Sequence, residues 1–147
     1  MKKIVRAGVC VCLAISVAAV TGCSKKVDFN EVTNKLFDCT AVRNGDSDPK
    51  PGTMMMWATN GRANLRFYNM ENSWFAGEYR VNGAHFRINF RAEVGENGAV
   101  MPLPEGIHFE GDLVEATSDK LKIKGIMAGN TDSPLAVELD CSAHTGS

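Results

Sequence analysis

The sequence predicts an all-β domain, curled into a small antiparallel up-and-down barrel of about eight strands whose first and last strands are joined by a disulfide. Three observations predict it. From Phe37 onward turn signals recur about every 8–12 residues, and the runs between them alternate apolar with polar side chains, as half-buried strands do. The connections are too short for parallel crossovers, so consecutive strands are antiparallel neighbours. Cys39 and Cys141 stand in the first and last runs. A disulfide needs Cα atoms roughly 4.4–6.8 Å apart, so those strands must meet, and in a meander they meet when the sheet closes and loses its edges. The same pattern admits a flattened barrel, or as fallback a two-sheet β-sandwich bridged between its sheets.

The chain opens on a basic head, Met1-Lys2-Lys3-Ile4-Val5-Arg6, followed from Ala7 to Val20 by small and apolar residues without a charge. Head, apolar stretch and small-residue exit describe a secretory signal. About 14 apolar residues are too few to cross a hydrocarbon core of roughly 30 Å as a permanent anchor. The exit, Val20-Thr21-Gly22-Cys23, resembles the lipobox of bacterial lipoproteins. That resemblance implies removal of residues 1–22 and a diacylglycerol on Cys23, an attachment stabilised by about 0.8 kcal/mol per buried CH₂. Ser24 stands where lipoproteins kept in the inner membrane often carry Asp, so the expectation is an outer-membrane anchor facing the periplasm, with the cell surface as an alternative. Residues 23–36 then form a lipidated tether. Asp28-Phe29-Asn30-Glu31 has the spacing of a capping box, which predicts a helical turn or two ending by Leu36. Residues 37–147 form the barrel domain.

Losing Lys2, Lys3 and Arg6 takes the formal charge from −1 to −4, which argues against nucleic acid as a partner. About 125 residues remain, enough for one domain with one core. Processing also simplifies the cysteines: Cys10 and Cys12 leave with the signal and Cys23 carries lipid. Cys39 and Cys141 are left as a pair in an oxidising compartment, where a disulfide is the default. Closing a loop of roughly 100 residues is worth about 4–5 kcal/mol in the chain-entropy model.

Two Asn-Gly steps predict two-residue type I′ hairpins, each of which sets a register. Around Asn60-Gly61, Met56 is expected opposite Leu65 and Met54 opposite Phe67 inside, with Trp57 opposite Asn64 outside. Around Asn82-Gly83, Tyr79 is expected opposite Phe86 and Phe75 opposite Phe90 inside, with Glu78 opposite Arg87 and Trp74 opposite Arg91 outside. Further on, Ile107, Phe109, Gly111 and Leu113, then Leu121, Ile123, Gly125 and Met127, then Leu135, Val137, Leu139 and Cys141 read as inward positions of three more strands.

No catalytic arrangement stands out. There is no Gly-x-Ser-x-Gly elbow, both mature thiols are committed, and no enzyme activity or cofactor is expected. His108, Glu110 and Asp112 share one strand face and form a weak metal candidate, for which a solvated polar face is the simpler account. Met54 and Met56 read as core filler, with Met55 outside. Charge is segregated: arginines gather in the two hairpins, whereas Glu93 to Asp119 holds seven acids and no Lys or Arg. On the outer face Trp57, Tyr68 and Trp74 join Arg66, Arg80, Arg87 and Arg91, the composition of an interface core.

The lipobox at Cys23, with a cysteine in the first strand and its partner in the last, resembles the layout of the membrane-bound inhibitors of c-type lysozyme. The resemblance is one of topology. That family's Ser-Gly-x-x-Tyr loop is absent, and the corresponding text here is Ala76-Gly77-Glu78-Tyr79. The expected function is a non-catalytic module anchored in the membrane through Cys23 that binds an envelope protein. One alternative is an inhibitor or immunity protein against a cell-wall hydrolase or effector. Another is a carrier of a small apolar ligand, disfavoured because bulky inward residues fill a barrel of this size.

Overall fold

The computed structural model describes residues 28–44, 46–67, 70, 72–129 and 133–146. Its strands are β1 (Leu36–Arg43), β2 (Lys50–Trp57), β3 (Arg62–Phe67), β4 (Ser73–Asn82), β5 (His85–Gly95), β6 (Val100–Pro102), β7 (His108–Ala116), β8 (Lys120–Ala128) and β9 (Leu135–Ala143). Every pairing is antiparallel, and the wall runs β1-β2-β3-β4-β5-β7-β8-β9 before β9 pairs back onto β1. This is the eight-stranded closed barrel that alternation and the cysteines predict, and closure rules out the sandwich. Cys39 is the direct register partner of Cys141, and the two form a disulfide across the β1–β9 seam.

The period-two pattern works because each wall strand turns one face inward. Phe37, Met54, Met56, Leu65, Phe86, Ile88, Phe109, Leu121, Ile123 and Leu139 are buried almost completely. Met55, between Met54 and Met56, is half-buried on the other face. One end of this core is stoppered by a short 3-10 turn, Phe29–Val32, whose Val32 is fully buried. Phe29 packs against Tyr79 and Phe86, at centroid distances of 5.4 and 5.8 Å. Asp28 caps the turn by accepting from the Asn30 N–H at 3.1 Å. Glu31 does not complete a capping box: its Oε2 accepts instead from the Ser118 N–H at 3.1 Å, pinning the turn to the β7–β8 loop. Lys35 donates to the Ser118 carbonyl from the same end.

Both predicted hairpins form, but each register is displaced by two residues. Trp57 pairs with Arg62 and Met54 with Leu65, so the β2–β3 loop holds four residues, not two. Gly61 takes φ 64 and its N–H donates to the Trp57 carbonyl, while the Asn60 side chain accepts from the Arg62 N–H. The asparagine's own side-chain bond to the backbone favours this wider turn. In the second hairpin Asn82 pairs with His85, leaving Gly83 and Ala84 as the turn. Glycine leads at φ 60, the type II′ arrangement, so Tyr79 lies opposite Ile88 and Gly77 opposite Phe90. A shift of two preserves every face because the side-chain period is two.

Two bulges alter the pairing further. At Ala76/Gly77 the β4–β5 register slips by one, with Gly77 opposite Phe90 and Ala76 opposite Ala92. Arg91 is therefore the extra residue, and Trp74 lies opposite Val94 rather than Arg91. At Leu113/Glu115 on β7 the extra residue is Val114, which is left exposed. β5 outlasts β7: His85–Asn89 pair with β7, and Ala92–Val94 pair with the three-residue β6.

Candidate interaction face

The outer wall of β2–β5 brings together most of the candidate binding residues. Its rows follow from the register. Trp57 of β2, Arg62 of β3, Glu78 of β4 and Asn89 of β5 are successive partners around the wall. A second row runs from Met55 through Asn64 and Ala76 to Ala92. Arg80 and Arg87 are direct partners on β4 and β5, and Glu110 of β7 continues that row. Trp57 and Trp74 are half-buried, whereas Arg62, Arg80 and Arg91 are exposed. Tyr68, Cys23 and the rest of the lipobox lie outside the described residues.

Several of these side chains are held in place. With its amide oxygen toward Trp74, Asn64 accepts the indole N–H at 3.0 Å and donates to the Ala63 carbonyl at 3.1 Å. The Tyr79 hydroxyl donates to the Trp57 carbonyl at 3.3 Å, and burial pushes that phenol above its usual range. Arg66 Nε donates to the Met70 carbonyl at 2.9 Å, and its Nη2 approaches Glu96 Oε1 at 3.6 Å. Arg87 is the most committed guanidinium: Nη1 donates to Glu110 Oε2 at 2.7 Å and Nε to Asn89 Oδ1 at 2.9 Å. Arg91, on the bulge, reaches Glu78 only at 3.9 Å. Sequence reasoning sets Asn64 opposite Trp57 and counts Arg62 among the hairpin arginines, but puts neither on the candidate binding face. The register sets Arg62 opposite Trp57, and Asn64 meets Trp74.

The outer face of β7 bears the weak metal candidate. His108 Nε2 lies 3.7 Å from Glu110 Oε1, and His85 of β5 lies 3.7 Å from Asp112 and 3.9 Å from Glu110. His108 Nδ1 sits 2.6 Å from the Gly106 carbonyl, which fixes its ring. Among the described residues no three His, Cys, Asp or Glu side chains converge as ligands. His108, Glu110 and Asp112 share this polar face with Arg87, whose Nη1 lies 2.7 Å from Glu110 Oε2.

Two open depressions mark the wall among the described residues. One is lined by Val42, Asn44, Lys124, Ala136 and Glu138, and the other by Asp38, Thr40, Pro51, Thr53 and Arg66. Neither gathers a nucleophile with a base, and Asp38 is already paired with His144 at 2.8 Å. No protein-family model matches the chain, and no curated protein is significantly similar to it in sequence.

Proposed function

We propose that this protein is a lipid-anchored, non-catalytic binding module of the bacterial envelope, tethered to the outer membrane through Cys23, that docks a partner protein on the outer wall of β2–β5. The observation that carries this reading is the gathering of Trp57 and Trp74 with Arg62, Arg66, Arg80, Arg87 and Arg91 on four adjacent strands. Tryptophan and arginine are the residues most enriched where protein interfaces concentrate their energy. The filled interior disfavours carriage of a small apolar ligand, since its largest side chains are essentially without exposure.

The reading is tested by co-purification from intact envelopes with the lipidated protein. Trp74→Ala should weaken a recovered partner by about 2 kcal/mol, roughly thirtyfold. Its cost to stability should be about 1 kcal/mol, the worth of its one hydrogen bond. A partner retained at full affinity would move the interface elsewhere. Cys23→Ser should release the protein from the membrane fraction, and unchanged fractionation with normal processing would remove the anchor.

A second reading, inhibition of a cell-wall hydrolase, is favoured by the closed barrel with its β1–β9 bridge, the layout on which the resemblance to lysozyme inhibitors rests. Titration against a c-type lysozyme in a cell-wall lysis assay tests it, and unslowed lysis at molar excess would remove that target.

A further inference from the structure

Most arginines of the outer wall, among the described residues, are ion-paired. On β8 and β9, Lys122 and Lys124 hold Glu138 at 2.8 and 3.2 Å, and Lys122 also reaches Asp140. On β5 and β7, Arg87 holds Glu110. Arg43, Arg66 and Arg91 each reach a carboxylate, at 2.8, 3.6 and 3.9 Å. Among the described residues, Arg62 and Arg80 are the arginines whose side chains have no hydrogen-bond or ion-pair partner. They are neighbours. Arg62 is the partner of Glu78, and Arg80 lies two residues further along β4, a diagonal separation of about 7–8 Å. Trp57 flanks Arg62 on β2, and Arg87 stands directly opposite Arg80 on β5.

Like charges directly opposite on a sheet destabilise it, and Arg87 is already engaged by Glu110. Arg80 therefore adds nothing to the barrel's own charge pairing. We infer that Arg62 and Arg80, with the Trp57 indole beside them, form the docking point for a carboxylate-bearing segment of the partner protein. This inference rests on the binding-module reading and narrows it. The chemistry is complementary: each guanidinium offers a fork of donors that a carboxylate accepts in pairs, and the indole supplies a flat apolar surface for the adjoining side chain. An acidic protein segment is favoured over an anionic membrane because two free guanidiniums beside an indole are fewer than the cluster of about 4–8 Lys or Arg that holds a protein to anionic lipid, and the nearby end of the barrel adds no basic excess. There the 3-10 turn and the β7–β8 loop present Asp28, Glu31 and Asp119 against Lys35 and Lys120.

The test uses the full lipidated chain in neutral detergent micelles, with poly-L-glutamate as probe and poly-L-lysine and phosphatidylglycerol vesicles as comparisons. Poly-L-glutamate should bind, with an affinity that falls as salt rises, and Arg62→Ala with Arg80→Ala should weaken it at least tenfold. Arg43→Ala, whose guanidinium is held by Asp46, should leave binding unchanged. Arg80→Glu places an acid opposite Arg87, so it should abolish binding without lowering the melting temperature. No binding by the wild-type chain, equal binding by the double variant, or Arg-dependent binding to the vesicles but not to poly-L-glutamate would each overturn the proposal. A photo-crosslinker at Trp57 and another at Trp74, in intact cells, separate the two levels. Adducts from Trp74 alone would overturn this docking point while the module stands, and adducts from neither would remove both.

Discussion

Gly111 and Gly125 are direct partners across β7 and β8, at inward positions of the wall. A Cβ on Gly111 would overlap the Lys124 carbonyl, and one on Gly125 would overlap the Glu110 carbonyl. The pair lets two backbones approach where a side chain would force them apart, beside Phe86, the β5 partner of Gly111. Gly125→Val should lower stability by about 1–3 kcal/mol through overpacking, read as an earlier urea midpoint with little change in slope. An unchanged midpoint would mean that the strands can part without cost. At this scale burial was legible in the sequence, because alternation alone puts Phe109, Leu121 and Ile123 inside. The partner of any one outer residue was not. Trp74 meets Asn64 and Val94 rather than Arg91, since a bulge has no signature in a run such as Phe75-Ala76-Gly77-Glu78.

Strands and their faces were readable; turns were readable only as places where the chain reverses. Asn-Gly predicts a type I′ turn because both residues tolerate positive φ. Here only the glycines adopt it, at φ 64 and 60, so the two loops are wider or one residue later than expected. β6 was missed because three residues are too few to show a period. The β8–β9 pair carries a pH dependence. Hydrogen bonds from Lys122 and Lys124 hold the Glu138 carboxyl below its usual range, and Glu138 in turn raises Lys122 above its usual value. A depressed carboxyl stabilises the fold above its unfolded pKa, and that contribution is lost as pH falls through the folded one. A raised lysine contributes below its unfolded pKa, and that contribution is lost as pH rises through the folded one. Both groups face solvent, so the effect is small and screened by salt. Melting curves of Glu138→Gln should lie slightly below wild type at neutral pH and merge with it below the carboxylate range. A gap that persists in acid would assign the loss to packing.

For the whole molecule, the decisive sequence fact was the position of two cysteines in the first and last runs. Alternation is equally compatible with a sandwich, and the requirement that Cys39 reach Cys141 pointed to closure only in combination with the short connections of a meander. The location of the proposed binding face depends on charge and exposure spread over several strands, which a linear pattern shows only as segregation. Replacing both cysteines with Ala should cost about 4–5 kcal/mol in the chain-entropy model. Amide exchange should then rise first along β1 and β9, the strands the bond joins. Uniform exchange across all strands would show that the seam is no weaker than the rest of the wall.

The seam also sets a timetable. Its two cysteines are 102 residues apart, and at about 5–20 residues per second of synthesis the second emerges roughly 5–20 s after the first. Hairpins form in about 1–10 μs, so the local meander can assemble as it appears, but the wall cannot close until β9 exists. For those seconds β1 offers an unpaired edge, and Cys39 is a thiol waiting for its mate. The bare edge is Leu36–Arg43, with Leu36 and Val42 exposed even in the finished barrel. A nascent chain stalled before Cys141 would be a sheet with two open borders, the form most prone to pair with its neighbours.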